Sequence, residues 1–207
     1  MNPPDRPRRI ILGLSGASGA AYGRRLLDVL ERAGCEVHAI ATAVAAQVVR
    51  QELTVVRIDT ESLLGRPAPR VGWHDNDRWD SPLASASFPS DGMAVCPCSS
   101  HTVASLAAGL GDNLLLRAAY VTLKQRRPLV LVHREMPLTL IDLDNLRRLA
   151  AAGATICPAS PGFYHHPRTI EDLIDSVVAR VLDLLGVPHS LPVRWAPGAS
   201  PPGEPAP

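Results

Sequence analysis

The stretch RIILGLSGASG, residues 9–19, decides the fold. It opens with a short apolar run, typical of a buried strand, and then changes abruptly to glycine, serine and alanine. Small residues directly after a strand predict a tight turn into a helix, and they let the backbone come close to an anion at the helix N-terminus. The stretch is not the dinucleotide fingerprint G-x-G-x-x-G, and no acidic residue ends the next predicted strand. An ordinary strand–helix turn stays open as the alternative.

Strands and helices alternate along the rest of the chain. Short apolar runs predict strands at residues 9–14, 36–41, 93–96, 128–132 and 154–157. Helical spacing of apolar residues predicts helices at residues 22–34, 44–53, 102–109, 113–125, 141–152 and 169–185. This alternation is typical of α/β proteins. We therefore expect a doubly wound parallel sheet of the Rossmann-like or flavodoxin-like kind, with right-handed crossovers.

The two ends of the chain differ from its middle in composition. Residues 1–8 are polar and proline-rich, and we expect a flexible arm there. Residues 196–207 are also rich in proline and predict a disordered tail. One domain is expected between them, at residues 9–195. Residues 55–70 are too weakly patterned to assign an element.

Composition excludes several classes of function. Of the 207 residues 46% are apolar, and 21 Lys and Arg nearly balance 20 Asp and Glu, for a net charge of +1. A neutral chain has no overall field to attract nucleic acid or an anionic membrane, and 4% aromatics are too few for a base-stacking surface. No apolar run approaches the roughly 20 residues of a membrane span. We expect no nucleic-acid partner, no membrane partner and a cytoplasmic location.

The four cysteines indicate neither disulfides nor a metal site. Cys96 and Cys98 flank Pro97, but no second Cys/His pair follows at zinc-ligand spacing. We interpret them as small buried thiols in a reducing compartment, and we expect no metal.

The chemically unusual residues all follow predicted strands. A second hydroxyl-rich turn, PCSSHT at residues 97–102, enters a helix as the first turn does. Thr42, the pair Arg134-Glu135 and Tyr164 lie beyond three further strands. Because ligands bind at the carboxyl ends of parallel strands, these residues predict one site, and two such turns suit a mononucleotide better than a dinucleotide. Simple helix capping by Ser or Thr is the alternative for the second turn.

Four cations and one acid are candidates for the chemistry. The cations are Arg117, Lys124, Arg134 and Arg180. Each taken alone is more often a solvated surface residue, but Arg134 directly follows a buried strand at the expected ligand edge. Its neighbour Glu135 is a carboxylate that can move a proton if its surroundings raise its pKa.

Taken together, these motifs resemble the flavin prenyltransferase family (UbiX-type), within the wider group of FMN-binding flavoproteins. The similarity rests on GLSGASGAAYGRRLL at 13–27, the segment 42–52, the segment 95–138 and GATICPASPGFYHHPRTIEDLIDSVVARVLDLLG at 153–186. Two parts of it are highly specific, RRPLVLVxREMPL around Arg134-Glu135 and PGFYHxP around Tyr164. The resemblance extends from Arg9 to Trp195.

The resemblance implies a reaction, a cofactor and partners. Such enzymes join the dimethylallyl group of dimethylallyl monophosphate to N5 and C6 of reduced FMN, without a metal. The product, prenylated FMN, is the cofactor of UbiD-type decarboxylases. The resemblance also implies a homododecamer with active sites shared at subunit contacts.

The resemblance further assigns roles to residues of this chain. Matching the FMN-contacting positions are Gly16, Ala17, Ser18, Thr42, Ser99, Ser100, His101, Thr102 and Arg134. Matching the grip on the dimethylallyl phosphate are Lys124, Tyr164 and Arg180, with Arg117 as a further cation. Glu135 matches the candidate acid or base, and Ser18 and Glu52 match residues near the reacting groups. The chain departs from the usual pattern at Thr42-Ala43 in place of Ser-Lys, which keeps the hydroxyl but loses a charge, at Tyr120 in place of Asp and at Gln125 in place of Glu.

Two other interpretations remain open on the sequence alone. An FMN-dependent decarboxylase of peptidyl or pantothenoyl cysteine would share the sheet and the turns, but it would not need the set Lys124, Arg134, Glu135, Tyr164 and Arg180. A non-catalytic flavin-carrying subunit would have no use for a second phosphate site.

Overall fold

The fold is a parallel sheet covered by helices on both faces. The structure, a computed structural model, describes residues 6–191. Within them the strands are β1 Arg9–Leu14, β2 Glu36–Ala41, β3 Val71–His74, β4 Gly92–Cys98, β5 Leu129–His133 and β6 Thr155–Ile156. The helices are α1 Ala20–Arg32, α2 Ala43–Leu53, α3 Thr60–Leu64, α4 Ser100–Ala107, α5 Leu114–Lys124, α6 Leu140–Ala151 and α7 Ile170–Leu185. A single 3₁₀ turn is seen in this range, at Pro82–Ala84.

The strand order is β3-β2-β1-β4-β5-β6, and all neighbours are parallel. The chain moves outward from β1 to one edge, then crosses to β4 and moves to the other edge. The order therefore reverses between β1 and β4, which is the topological switch point of a doubly wound sheet. The predicted fold class is confirmed.

Alternating side chains on each strand explain why both faces are covered. Ile10, Leu12 and Leu14 of β1 point into a core built with α1, α2 and α7. Ile11 points into the opposite core, built with α4, α5 and α6. Because successive side chains leave a strand on opposite faces, a nearly continuous apolar run needs a helical layer on each side.

Two elements, α3 and β3, lie where the sequence shows little pattern. The five residues of α3 are delimited by their ends, since the Asp59 side chain accepts a hydrogen bond from Ser62 N and Gly65 ends the helix with φ 65°. β3 is a four-residue edge strand with no fully buried residue. Its position in the sheet comes from pairing with β2, at Val37 opposite Val71. Neither element has enough apolar periodicity to be predicted from the sequence alone.

Of the predicted N-terminal arm, residues 1–8, the structure describes residues 6–8. Arg6 forms an ion pair with Asp91, N–O distance 2.8 Å, and Arg8 donates hydrogen bonds to the carbonyl oxygens of Leu185 and Gly186. These contacts fasten residues 6–8 to the end of α7 and the start of β4. Residues 1–5 and the predicted tail at 196–207 lie outside the described residues.

Helix α1 packs unusually close to β4. A Cβ atom built on Gly23 would lie 2.5 Å from the carbonyl oxygen of Cys96 and 3.1 Å from Cδ2 of Leu14. Only glycine permits this approach, which brings the start of α1 next to the end of β4. The close contact thereby sets the distance between the two turns at the switch point.

Replacing Gly23 by alanine should destabilise the protein. Alanine favours a helix interior by about 1 kcal/mol, but the clash here is with backbone, and overpacking costs about 1–3 kcal/mol. We expect G23A to lower the free energy of unfolding in urea denaturation. Gly72 in β3 is the matched control, because a Cβ atom added there would meet no other atom within 4 Å. A G23A protein as stable as G72A would contradict the packing argument.

Candidate functional site

The switch point is held together by the buried hydroxyl of Ser15. This hydroxyl donates to the carbonyl oxygen of Pro97 (3.0 Å) and accepts from Ser99 N (2.8 Å). The backbone N–H of Ser15 also donates to Pro97 O, at 3.2 Å. Ser15 is 2% exposed. It therefore ties the end of β1 to the end of β4, and it is a site-building residue that the sequence pattern did not single out.

A cleft of about 250 Å³ opens beside this junction, at the carboxyl edge of the sheet. Five residues predicted to contact the cofactor line it: Gly16, Thr42, Ser99, His101 and Thr102. Two asparagines that were not predicted from the sequence also line it, Asn76 and Asn113. Both cap helix α5, through Oδ1 of Asn76 to Leu115 N and Oδ1 of Asn113 to Leu116 N. Asn76 lies in a weakly patterned loop and Asn113 at a helix cap, and nothing in the sequence pattern distinguished either of them from other polar residues.

The cleft has the features of an anion site at helix N-termini. Ser99 is the N-cap of α4 and Thr42 is the N-cap of α2. The Ser99 hydroxyl accepts a hydrogen bond from Thr102 N, and the Thr42 hydroxyl accepts one from Ala45 N. Gly16 is required for a steric reason, because a Cβ there would lie 2.5 Å from Cγ1 of Val44. Small residues beside two helix N-termini suit the binding of a phosphate.

Not every predicted cofactor contact points into this cleft. The Ser100 hydroxyl lies 3.0 Å from Nε2 of His133, a histidine at the end of β5. Ala17 is 6% exposed, and its N–H donates to Ser15 O at 2.9 Å. Ala17 thus shapes the first turn through its backbone.

Glu52 and Ser18 meet at the N-terminus of α1. This helix begins after Gly19, which has φ 108° and offers no capping side chain. The carboxylate of Glu52, from α2, accepts hydrogen bonds from Gly19 N (2.9 Å) and Ala20 N (2.8 Å) instead. Partial burial favours the neutral acid, but hydrogen bonds from Ser18, Ala20 and Gly19 and the charge of Arg134 outweigh it and lower the pKa of Glu52. The group is therefore an anion at neutral pH, placed at the positive end of a helix.

Arg134 carries a buried donor that bonds to no acceptor among the described residues. Its backbone N–H donates to Cys98 O at 3.1 Å, which holds the loop after β5 against the end of β4. Within residues 6–191, its Nε is buried and has no hydrogen-bond partner. A buried guanidinium N–H left unpaired costs free energy, and an anionic ligand would supply the missing acceptor. Its neighbour Glu135 is exposed, and Oε1 accepts a hydrogen bond from Met136 N at 3.1 Å.

A second cleft, of about 650 Å³, lies against α7. Tyr164 and Arg180 both line it, together with Cys157 and His165. The rings of Tyr164 and His165 contact each other with centroids 3.8 Å apart. The structure thus brings together two of the four residues assigned to the substrate phosphate.

The other two, Arg117 and Lys124, lie elsewhere in the chain. Both belong to α5, which packs on the opposite face of the sheet from α7. Arg117 Nε donates to the carbonyl oxygen of Ala84 at 3.1 Å. Lys124 ends α5 and lies at the amino edge of the sheet, just before β5 begins. One copy of the chain therefore cannot place Lys124 beside Arg180.

The cysteines are free and buried, as expected. Burial raises the pKa of Cys96 and Cys98, so both are neutral thiols at pH 7. In the described part of the chain, no three His, Cys, Asp or Glu side chains converge on a place for a metal ion.

A doubly wound sheet with two hydroxyl-rich turns at its switch point is the architecture of proteins that hold a nucleotide phosphate there. Comparison with known proteins narrows this class. The sequence profile of the Flavoprotein family matches residues 2–182. Flavin prenyltransferase UbiX of Pseudomonas aeruginosa is 44% identical over 198 residues, covering 91% of this chain and 94% of that protein.

Two solved structures are similar over nearly the whole chain. AnUbiX (PadA1), solved in complex with FMN and dimethylallyl pyrophosphate, has a TM-score of 0.85 at 38% identity, covering 92% of this chain and 98% of that one. The dodecameric FMN-dependent UbiX-like decarboxylase of Escherichia coli O157:H7 has a TM-score of 0.82 at 37% identity, with 91% and 99% covered.

This chain belongs to the Flavoprotein family and, within it, to the flavin prenyltransferases of the UbiX type. The resemblance drawn from the sequence motifs is confirmed. Across residues 6–191, no helix has both the length and the apolar character needed to cross a membrane.

The pairing of Glu52 with the α1 N-terminus should make stability pH-dependent. Its folded pKa lies below the ordinary value of 4.5, so its contribution is fully present above pH 4.5 and is lost as the pH falls through the folded pKa. We expect E52Q, which keeps the shape but not the charge, to unfold at lower urea concentration than wild type at pH 7. The difference should shrink below pH 4.5, and a difference that is constant from pH 7 to pH 3 would refute the assignment.

Proposed function

We propose that this chain joins the dimethylallyl group of dimethylallyl monophosphate to N5 and C6 of reduced FMN, making prenylated FMN. The observation that carries the proposal is Arg134 Nε, a buried cationic donor without an acceptor among residues 6–191. The backbone N–H of Arg134 donates to Cys98 O, and the next residue, Ser99, lines the switch-point cleft. A cation in that position suits an anionic ligand. The membership in the flavin prenyltransferases supports the same reaction.

FMN would be held at the carboxyl edge of the sheet. Its phosphate would sit on the turn at residues 16–18 and on the turn at residues 99–102, with Thr42 and Arg134 completing the contacts. The hydroxyl-lined cleft and the glycine at position 16 fit that group. When bound and reduced, FMN supplies the nucleophilic nitrogen and carbon of the reaction.

Cationic side chains would hold the phosphate of the prenyl donor. Tyr164 and Arg180 share one cleft and offer a phenol and a guanidinium. Lys124 and Arg117 would come from a neighbouring copy, because α5 places them on the other face of the sheet. Fixed positive charges around a departing phosphate stabilise the charge that develops as the carbon–oxygen bond breaks.

Three polar residues, Glu135, Glu52 and Ser18, would lie near the reacting atoms of the flavin. Glu135 follows Arg134 at the end of β5, exposed toward the carboxyl edge, and would act as the acid or base. Glu52 stays ionised through its hydrogen bonds at the α1 N-terminus. Ser18, bonded to that carboxylate, would orient its hydroxyl toward the reacting groups.

The chain would assemble as a homododecamer. A run of apolar side chains around the start of α6 is exposed: Met136 (84%), Leu138 (40%), Leu140 (75%), Ile141 (73%) and Leu143 (49%). Contiguous exposed apolar residues mark interaction surfaces. A relative of this chain is a dodecamer in its crystal structure, and assembly would bring Lys124 of one copy to Arg180 of another.

The product, prenylated FMN, would be passed to a UbiD-type decarboxylase. The enzyme would work in the cytoplasm. Four free buried thiols suit a reducing compartment. Of the two alternatives, a cysteine decarboxylase would not need the set Lys124, Arg134, Glu135, Tyr164 and Arg180, and a flavin-carrying subunit would have no use for a second phosphate site.

Mass spectrometry of the flavin decides among these functions. Protein incubated anaerobically with reduced FMN and dimethylallyl monophosphate should release a flavin heavier than FMN by one prenyl unit. The E135Q variant keeps the side-chain shape and should still bind FMN, while forming the product about 10²–10⁴ times more slowly in single turnover. Unmodified FMN from wild-type protein would overturn the proposed function, and a normal rate in E135Q would remove Glu135 from it.

Mixing two variants that bind the prenyl donor weakly tests whether sites are shared between copies. K124A and R180A should each lose affinity for the prenyl donor, because each removes a charge that holds its phosphate. If Lys124 and Arg180 in one site come from different copies, co-expression in equal amounts should leave about one site in four intact. Activity near that fraction supports shared sites, whereas no recovery in a mixed oligomer would place both residues in one copy. R24A mixed with R180A is the control, because Arg24 lies in a separate cleft on α1.

A further inference from the structure

His133 is a buried titratable residue that the proposed reaction does not use. It ends β5, pairs in register with Cys98 of β4 and immediately precedes Arg134. The residue is 4% exposed. Its carbonyl oxygen accepts a hydrogen bond from Ala159 N at 2.9 Å, so its backbone is held on both sides. The motif RRPLVLVxREMPL leaves this position open, so the resemblance assigns it no role.

The imidazole of His133 contacts the start of α4. Its Nε2 lies 3.0 Å from the hydroxyl of Ser100, the first residue of that helix. Ser100 follows Ser99, whose N–H is held by Ser15 at the switch point. The ring therefore supports the second turn of the candidate flavin site from the side opposite to Ser15.

The same hydroxyl extends the contact to a second helix. Asp142 lies in the first turn of α6, where it forms a capping box with Thr139. Hydrogen bonds from Thr139, and then from Ser100, lower the pKa of Asp142, so this carboxylate is an acceptor. His133, Ser100 and Asp142 thus connect the end of β5 with the starts of α4 and α6. The loop carrying Arg134 and Glu135 lies between those points.

We propose that His133 is a positioning residue for flavin binding. Acting through the Ser100 hydroxyl, it fixes the turn at residues 99–102 relative to the loop of Arg134 and Glu135. This inference rests on the proposed function, because it concerns the same flavin site. The ring touches neither cleft directly, and its effect is to keep two binding segments at a fixed separation before the ligand arrives.

The charges around His133 indicate that it acts as a neutral ring. Burial lowers its pKa; Asp142 of α6 and Glu135 oppose that shift, while Arg134 adds to it. With a pKa below its ordinary value, the ring carries no charge at pH 7. His133 therefore contributes a hydrogen bond to the Ser100 hydroxyl and no electrostatic attraction to the phosphate.

A pair of amide variants separates positioning from packing. The amide of H133Q reaches the place of Nε2 and can bond Ser100, while the shorter side chain of H133N cannot. We expect H133N and S100A each to raise the Kd for oxidised FMN about tenfold at pH 7.5, the effect of one lost hydrogen bond. H133Q should stay within about twofold of wild type, and H133N/S100A should bind no more weakly than either single variant.

Several results would overturn this inference while leaving the proposed function intact. They are wild-type affinity in H133N or in S100A, equal losses in H133N and H133Q, or fold-changes that multiply in the double variant. If neither His133 variant folds, the S100A variant is tested alone, and wild-type affinity of S100A for FMN overturns the inference. H189N is the matched control, a histidine with a buried side chain bonded to Asp183 outside the flavin cleft, and its Kd should not change. Failure of the wild-type protein to bind FMN would instead refute the proposed function itself.

Discussion

The buried hydroxyl of Ser15 is the contact on which the site depends. At a switch point the connections from two adjacent strands leave in opposite directions, so a gap opens between their ends. Ser15 spans that gap by donating to Pro97 O and accepting from Ser99 N. With the close approach of Gly23 to Cys96, this bond fixes how far apart the two turns lie. The cleft for an anionic group exists because those turns are held side by side.

The two charged residues near the first turn, Glu52 and Arg134, differ in whether their hydrogen-bonding groups have partners among the described residues. Glu52 has its hydrogen-bonding needs met by the α1 N-terminus, which keeps it an anion. Arg134 lies close enough for its charge to influence Glu52, yet its buried Nε has no acceptor among the described residues. A polar group buried without a partner is tolerated where a ligand completes it. In the proposed function, Arg134 would accordingly bind an anionic group of the ligand, and Glu52 would stay ionised beside it.

Topology also limits what one copy of the chain can do. In a doubly wound sheet the helices run antiparallel to the strands, so a helix begins at the carboxyl edge and ends at the amino edge. Lys124, the last residue of α5, therefore lies at the amino edge of the sheet, whereas the first cleft lies at the carboxyl edge. Exposed apolar residues at the start of α6 offer a surface through which a second copy can approach. Assembly and catalysis are coupled in this proposal because the charged set is divided between copies.

The sequence by itself determined the class of fold, most of its elements and the family. Short apolar runs and helical spacing with a period of 3.6 residues are local signals, and they located five of six strands and six of seven helices within residues 6–191. The two misses, β3 and α3, are short elements stabilised by a neighbouring strand and by end caps, and such contacts leave little trace in local pattern. Five residues of the first cleft, Gly16, Thr42, Ser99, His101 and Thr102, were predicted because they follow strands whose carboxyl ends meet at one edge of the sheet.

Only the tertiary structure decided how the candidate residues group in space. It separated Arg117 and Lys124 from Tyr164 and Arg180, because that depends on which face of the sheet each helix covers. It also turned Ser100 toward His133 rather than into the cleft, and it added Ser15, Asn76 and Asn113 to the site. These residues act through hydrogen bonds between segments distant in the chain. The spacing of residues along a sequence does not encode such bonds, since they form only when the sheet and both helical layers are in place.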